Sequence, residues 1–335
     1  MIRPLSPAGR WFCRISLLFG AGMLTSCQTN ADRGSPAGGV PRPPMRTVAF
    51  TFDDLPYAHA ADADPVVRAQ AREADAAIRA ALARHAAPAT GFVNEGKVRS
   101  LGTTGTAIVD AWMKGQLTLG NHGFSHADSN TLTLEQIERE MVAGEGTIRP
   151  LARRTRRSIG FFRFPYNHVG DTEERRLAIE RMLAAHGYRL AASTIDTSDY
   201  LFDQAYERAI AAQDGAMQAR IRAAYLDYSR TQILYYAALN RQVLGYEPPE
   251  VMLLHANRLN AAVADALLGL FRSLGYRFVS LERAQSDPAY ARAPRIATKF
   301  GMMWGYRWAR ERKVAVNGRL EQEPPEWLTT YAEGS

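Results

Sequence analysis

The sequence predicts an α/β fold, a distorted (β/α) barrel of about seven parallel strands that carries a helical insertion. Two observations predict it. Short β-branched and aromatic runs alternate with helically spaced stretches from residue 46 to about 280. Seven polar residues (Asp53, Asp54, His122, Arg163, Asp196, Asp199 and His255) also fall at or just after the C-terminal ends of those runs. In a parallel α/β barrel these ends share one face, and active sites are built there.

Taken in order, Arg46–Phe52 reads as a first strand, ending on two aspartates. Ala63–Ala86 is Ala- and Arg-rich with helical spacing, and Ala89–Val93 is a second strand. Ile108–Lys114 reads as a helix, and Thr118-Leu119 as a strand running into Gly120-Asn121. Thr133 and Gln136 have the spacing of a capping box and open a helix to about Leu151. Ile159–Arg163 and Arg189–Ile195 are strands on either side of a helix, Asp171–His186. Val251–Leu254 is a strand leading to His255, and Tyr276–Ser280 is the last. Between residues 201 and 247 the alternation stops. Two helices are expected there, with Tyr225, Tyr228, Tyr235 and Tyr236 at core spacing. The α/β domain thus runs over residues 46–290, followed by a C-terminal extension, 291–335, whose Trp304, Trp308 and Trp327 argue that it is partly docked.

The N-terminus has a different character. Arg3, Arg10 and Arg14 precede the apolar stretch Ile15–Leu24, which is too short to span a bilayer as a mature helix. Leu24-Thr25-Ser26-Cys27 follows. Residues 1–26 therefore read as a secretory signal peptide. A Cys directly after those small residues resembles the bacterial lipobox, in which Cys27 would be lipidated and anchor the protein to a membrane. Residues 27–45, rich in Pro, Gly and small polar residues, read as a flexible tether. The expected location is the cell envelope, facing the periplasm or on the outer membrane, the latter favoured by Gln28. The formal net charge of +7 falls to +4 once the signal arginines are removed. No basic, aromatic-interleaved stripe appears, so nucleic acid is not an expected partner. Loss of Cys13 with the signal and lipidation of Cys27 leave no thiol in the mature domain. Any metal must then be held by imidazole and carboxylate.

Adjacent carboxylates at a strand end point in different directions, so one of Asp53 and Asp54 can bind a metal while the other stays free. His122-Gly-Phe-Ser-His126 sets two imidazoles four residues apart. On a helical turn they would chelate one ion, and with a carboxylate they would form a three-ligand site. The same spacing also suits two solvated loop histidines. Arg163, in Phe162-Arg-Phe-Pro165-Tyr166, is placed to pair with a carboxylate.

Taken together and in order, TFDD (51–54), HGFSH (122–126), RFPY (163–166), the Asp196–Tyr200 segment and Leu253-Leu254-His255 resemble the five motifs of the polysaccharide deacetylase (NodB-homology) carbohydrate esterase family. The resemblance covers roughly Val48–Ser280. It implies removal of N- or O-acetyl groups from a glycan, with Asp54, His122 and His126 holding a divalent metal, commonly zinc. It further implies that Asp53 acts as general base, oriented by Arg163. His255 would be the general acid, tuned by Asp199, and the backbone N–H of Tyr166 would be an oxyanion donor. The acetylated glycan is the implied partner. Tyr200 stands where the family usually has a groove-wall Trp, and Ala127 where Pro is frequent. The 201–247 insertion is the largest departure. Two other readings stand beside this one. The same metal site would serve a non-sugar amide or small acyl ester, or the chain would be a non-catalytic glycan-binding lipoprotein.

Overall fold

Val48–Leu55, within strand β1 (Arg46–Leu55), is buried at every position, the pattern of a parallel strand covered on both faces. The computed structural model describes residues 45–60 and 64–334. The expected signal peptide, Cys27, and all but the last residue of the expected tether lie outside them. Six further strands complete the sheet: β2 (Ala89–Val93), β3 (Leu117–Asn121), β4 (Phe161–Phe162), β5 (Arg189–Leu190), β6 (Glu250–His255) and β7 (Tyr276–Phe278). Every ladder is parallel. The order is β5–β4–β3–β2–β1–β6, with β7 against the first residues of β1.

The expected strands 159–163 and 189–195 are shorter than the sequence suggests. Residues 189–195 cross between two neighbours: Arg189 and Ala191 N–H donate to Gly160 and Phe162, then Leu253 N–H donates to Ile195. A segment that changes partner midway cannot hold a long ladder with either. Its far end, the bridge Ile195–Met252, joins the two edges of the sheet and curls it into the distorted barrel.

The helices that cover the barrel are α1 (Pro65–Arg84), α2 (Glu95–Leu101), α3 (Thr103–Ala111), α4 (Leu134–Ala143), α5 (Ile148–Thr155) and α6 (Glu173–Ala185). After them come α7 (Asp199–Ala211), α8 (Gly215–Leu244) and α9 (Arg258–Ser273), and then the shorter α10 (Leu281–Ala284), α11 (Trp304–Arg312) and α12 (Glu326–Glu333). The Thr133/Gln136 capping box forms as expected, but the helix it opens stops at Ala143 instead of continuing to Leu151. The cause is steric. A Cβ on Gly144 would sit 2.5 Å from Asn121 Oδ1 and 2.8 Å from the Gly123 carbonyl carbon, so the chain passes close to the end of β3 only where it lacks a side chain. Helix α2, capped by Asn94, was not expected from the sequence.

The insertion begins at Asp199, two residues earlier than the sequence suggests, and consists of two helices. Tyr225, Tyr228 and Tyr236 are buried, as their spacing predicts. The extension packs onto them: Tyr228 and Gln232 donate to Gln322 O, while Tyr236 and Tyr306 both donate to the Glu321 carboxylate. Trp304, Trp308 and Tyr290 form an edge-to-face cluster beneath it. No described helix is long and apolar enough to cross a membrane.

Glu250, at the start of β6, is fully buried and meets only neutral donors, Thr194 Oγ1 at 2.5 Å and Asn240 Nδ2 at 2.8 Å. Burial pushes its carboxyl up to about 8. The folded state therefore holds a proton that the unfolded state releases near pH 4.5. That contribution is complete below pH 4.5 and is lost as pH rises toward 8. Glu250→Gln should remove this slope, so that its melting temperature gains on the wild type between pH 6 and pH 9. Parallel melting curves across that range would refute the assignment.

Candidate metal and acid–base site

Asp53, Asp54, His122, His126, Tyr166, Tyr200 and His255 line one cleft of about 530 Å³ at the C-terminal ends of the strands, with Asp196 beside them. Arg163 and Asp199 lie buried behind it. Cys27 lies outside the described residues.

The two histidines of the second motif meet, but not on a helical turn as the spacing suggested. Residues 122–126 are a loop, and His126 has φ 60°. Asn121 Oδ1 accepts from Gly123 N–H, and the Glu140 carboxylate accepts from the backbone N–H groups of Phe124 and Ser125 and from Ser125 Oγ. Those bonds fold the loop back so that the rings stand 5.3 Å apart, centre to centre.

His122 Nδ1 lies 2.7 Å from the Arg163 carbonyl oxygen. A carbonyl only accepts, so Nδ1 carries the proton and Nε2 keeps its lone pair. That Nε2 lies 4.0 Å from Asp54 Oδ1, and His126 Nε2 lies 3.6 Å from the same oxygen. Both distances are too long for hydrogen bonds. Asp54 Oδ1 is buried and has no hydrogen-bond partner among the described residues. Three ligand atoms thus converge on one point and leave a buried acceptor unsatisfied. This donor set, two imidazoles and a carboxylate, suits a divalent cation. Burial raises the Asp54 carboxyl, but Lys97, then His126 and His122, together hold it below the usual carboxylate range. Burial, reinforced by His122 and Lys97, drives the His126 imidazole down to about 4, so it stays neutral and able to ligate.

Asp53 faces the other way. Its Oδ1 accepts from Arg163 Nη1 at 2.8 Å, while Oδ2 is 3.9 Å from His122 Nε2. The Arg163 guanidinium is buried against the face of Phe92, and also donates to Thr51 Oγ1 and Ala192 O. Across the cleft, His255 is clamped to Asp199: its ring Nδ1 is 2.7 Å from Oδ1 and its backbone N–H donates to Oδ2. Asn260 completes the carboxylate's partners. Burial opposes charge on His255, but Asp199, by charge and hydrogen bond, and then Asp54 and Asp53 push it up to about 10. Burial also lifts Asp196, with Asp199 adding to it, to about 6.

Several cleft residues escaped the sequence reading. Lys97, on the unexpected helix α2, lies 3.7 Å from Asp54 Oδ2 and donates to Ala58 O. His59, Asn167, Asp203, Gln204 and Asn257 also line the cleft, as do Gly301 and Met303 of the extension. None stands in a motif; only the fold brings them in. A second cavity of about 340 Å³, between α6 and the extension, is lined by Trp304 but by none of the candidate site residues read from the sequence.

A parallel barrel with a carboxylate–imidazole cation cluster between two buried ion pairs defines a class of α/β barrel proteins. Within that class, residues 41–191 match the model of the polysaccharide deacetylase family. The match spans the first three motifs; Asp199 and His255 lie beyond it. A chitin deacetylase of Arthroderma benhamiae is 27% identical over 154 residues, 46% of this chain. The chain spans about a third (35%) of that relative's length. Among solved structures, a polysaccharide deacetylase of Bacillus cereus superposes with a TM-score of 0.49 at 19% identity, over 70% of this chain and 92% of its own. A family 4 carbohydrate esterase pseudoenzyme of Bacillus anthracis gives 0.49 at 14%, over 72% and 66%.

Arg163→Ala should strand the buried Asp53 carboxylate and cost about 3–5 kcal/mol of folding stability. Arg163→Lys keeps the charge but not the fork and should fall between. Urea denaturation measures both, and a loss below about 1 kcal/mol for the alanine variant would show that the pair does not hold the site together.

Proposed function

We propose that the chain is a metal-dependent hydrolase that removes acetyl groups, N- or O-linked, from a polysaccharide of the cell envelope. One observation carries this: the unsatisfied Asp54 Oδ1 converging with His122 Nε2 and His126 Nε2 beside a second carboxylate that is not part of the cluster. The match of residues 41–191 to the polysaccharide deacetylase model supports the substrate class. The N-terminal signal and Cys27 place the domain, in this reading, on a lipid anchor at the envelope.

Asp54, His122 and His126 would hold the cation, and the donor set favours zinc. When bound, such an ion polarises the acetyl carbonyl and acidifies water. Asp53 takes the water proton. Its Oδ1 is fixed by Arg163, which orients the carboxylate and leaves Oδ2 for the proton. His255 gives a proton to the departing amine or alkoxide. With Nδ1 tied to Asp199, the proton leaves from Nε2, and the raised basicity keeps the ring charged at neutral pH. The Tyr166 backbone N–H, at the cleft edge, is the proposed donor to the developing oxyanion. Tyr200, half exposed beside His255, forms a wall for the sugar.

Asp53→Asn should lower acetate release from acetylated chitooligosaccharide, xylan or peptidoglycan at least about a hundredfold, with metal content unchanged. Chelation should abolish release and zinc restore it. Full activity in the Asn variant would defeat the mechanism. Wild-type turnover of small acyl esters with none on any glycan would move the substrate outside polysaccharides. Because His255 must be protonated to act, activity should fall on the alkaline side as it loses its proton, and His255→Ala should abolish that limb of the pH–rate profile.

A further inference from the structure

The cleft holds a second Asp–His pair, built like the first. Helix α7 carries Asp199 and Asp203 one turn apart, both buried. Asp199 clamps His255. Asp203 does the same for a second imidazole: Oδ2 lies 2.6 Å from His59 Nε2, while Oδ1 accepts from Leu259 N–H. His59 sits on the loop after β1, five residues beyond Asp54, and that loop is held from both sides. Ala58 N–H donates to Ala256 O, Ala58 O accepts from Lys97, and Tyr57 is buried against the His59 ring. The ring is therefore fixed in place, yet its side chain is 44% exposed and lines the cleft. With Nε2 committed to Asp203, Nδ1 is the ring nitrogen left over. No described residue partners that nitrogen.

Asp203, His59 and Glu207 lie close enough together to suggest a cation site. Their partners argue otherwise. Glu207 is held by both Nε and Nη2 of Arg258, and both oxygens of Asp203 are taken. The cluster is an oriented imidazole with a supported carboxylate.

Resting on the deacetylase reading above, we infer that His59 is a substrate-positioning residue whose Nδ1–H binds an acceptor oxygen of the glycan beside the acetylated sugar. Asp203 belongs to the helical insertion, so the insertion does more than cover the cleft: it supplies the carboxylate that aims this second imidazole. The charged groups facing His59 are Asp203 and Glu207 of α7, Lys97 of α2 and, through Glu207, Arg258 of α9. The hydrogen bond to Asp203 outweighs burial and raises the His59 pKa, which favours the ring form that carries a proton on Nδ1 as well as Nε2.

The test compares wild type, His59→Gln and Asp203→Asn, as full chains, on a neutral acetylated chitooligosaccharide and on a peptidoglycan strand bearing lactyl carboxylates. His59→Gln should raise KM about tenfold with kcat within about twofold and metal content unchanged. The wild-type KM should climb as pH passes above the His59 pKa, and that climb should vanish in the variant. A larger effect on the carboxylate-bearing strand identifies the acceptor as a carboxylate; an equal effect identifies a neutral sugar oxygen. An unchanged KM on both, or a loss confined to kcat and metal content, overturns the proposal. If the wild type releases no acetate from either glycan, the deacetylase reading fails on its own. His59 is then judged by its ring resonances in Asp53→Asn protein titrated with the same oligosaccharides, and unmoved resonances overturn its role.

Discussion

One buried guanidinium organises the site. Arg163 reaches across the barrel from the turn after β4 to Thr51 and Asp53 of β1 and to Ala192 after β5, tying together three strands that are not all neighbours. Its backbone carbonyl fixes the tautomer of His122. The same residue thus sets the orientation of the free carboxylate and the lone pair of a candidate metal ligand. Enclosing a cation this deeply is costly unless its counter-charge and hydrogen bonds are in place, and here they are. The proximity of Asp53 to the cation cluster follows from that arrangement. Two carboxylates adjacent in sequence stay distinct in role because one is neutralised by arginine and the other faces imidazoles.

The rest of the cleft is assembled around this centre by parts that lie far apart in the chain. Helix α7 contributes Asp199 and Asp203 to two imidazoles, His255 and His59. The C-terminal extension reaches the cleft through Gly301 and Met303. A Cβ on Gly301 would lie 1.8 Å from the Tyr166 carbonyl oxygen, so the extension rests directly on the turn of the third motif. Tyrosine hydroxyls from α8 and α11 hold residues 321–322 in place. Insertion and extension therefore act as one support, each giving the other's polar groups their partners.

The sequence made the strands and the strand-end chemistry legible because both are local. β-branched runs mark β1, β2 and β6 nearly to the residue, and the motif residues follow them directly. What stayed hidden depends on tertiary proximity. The 189–195 segment reads as one strand, yet its hydrogen bonds are divided between β4 and β6. Helix α4 ends early because Gly144 must clear Asn121, a contact with no sequence signature. His122 and His126 converge through a loop gathered by Glu140, so the correct pairing was reached from a helical geometry the chain does not adopt. His59 and Lys97 reach the cleft on elements whose sequences carry no functional pattern.

Backbone strain marks the site independently of any motif. Among the described residues, nine other than glycine have positive φ. Four of them, Ala86, Arg156, Gln213 and Lys313, lie one or two residues beyond the ends of α1, α5, α7 and α11, where a left-handed residue closes the last turn. The other five are Asp54, His126, Tyr166, Asn167 and Ser198, and all but Ser198 line the cleft. Each costs about 1–2 kcal/mol relative to an ordinary conformation, and none closes the last turn of an α-helix. Two are members of the cation cluster, and a third carries the peptide proposed to face the oxyanion. Relaxing Asp54 into extended backbone would swing its carboxylate away from His122 and His126. The strain is therefore the local cost of bringing three ligand atoms from two loops to one point, and the buried Arg163 network resists that relaxation.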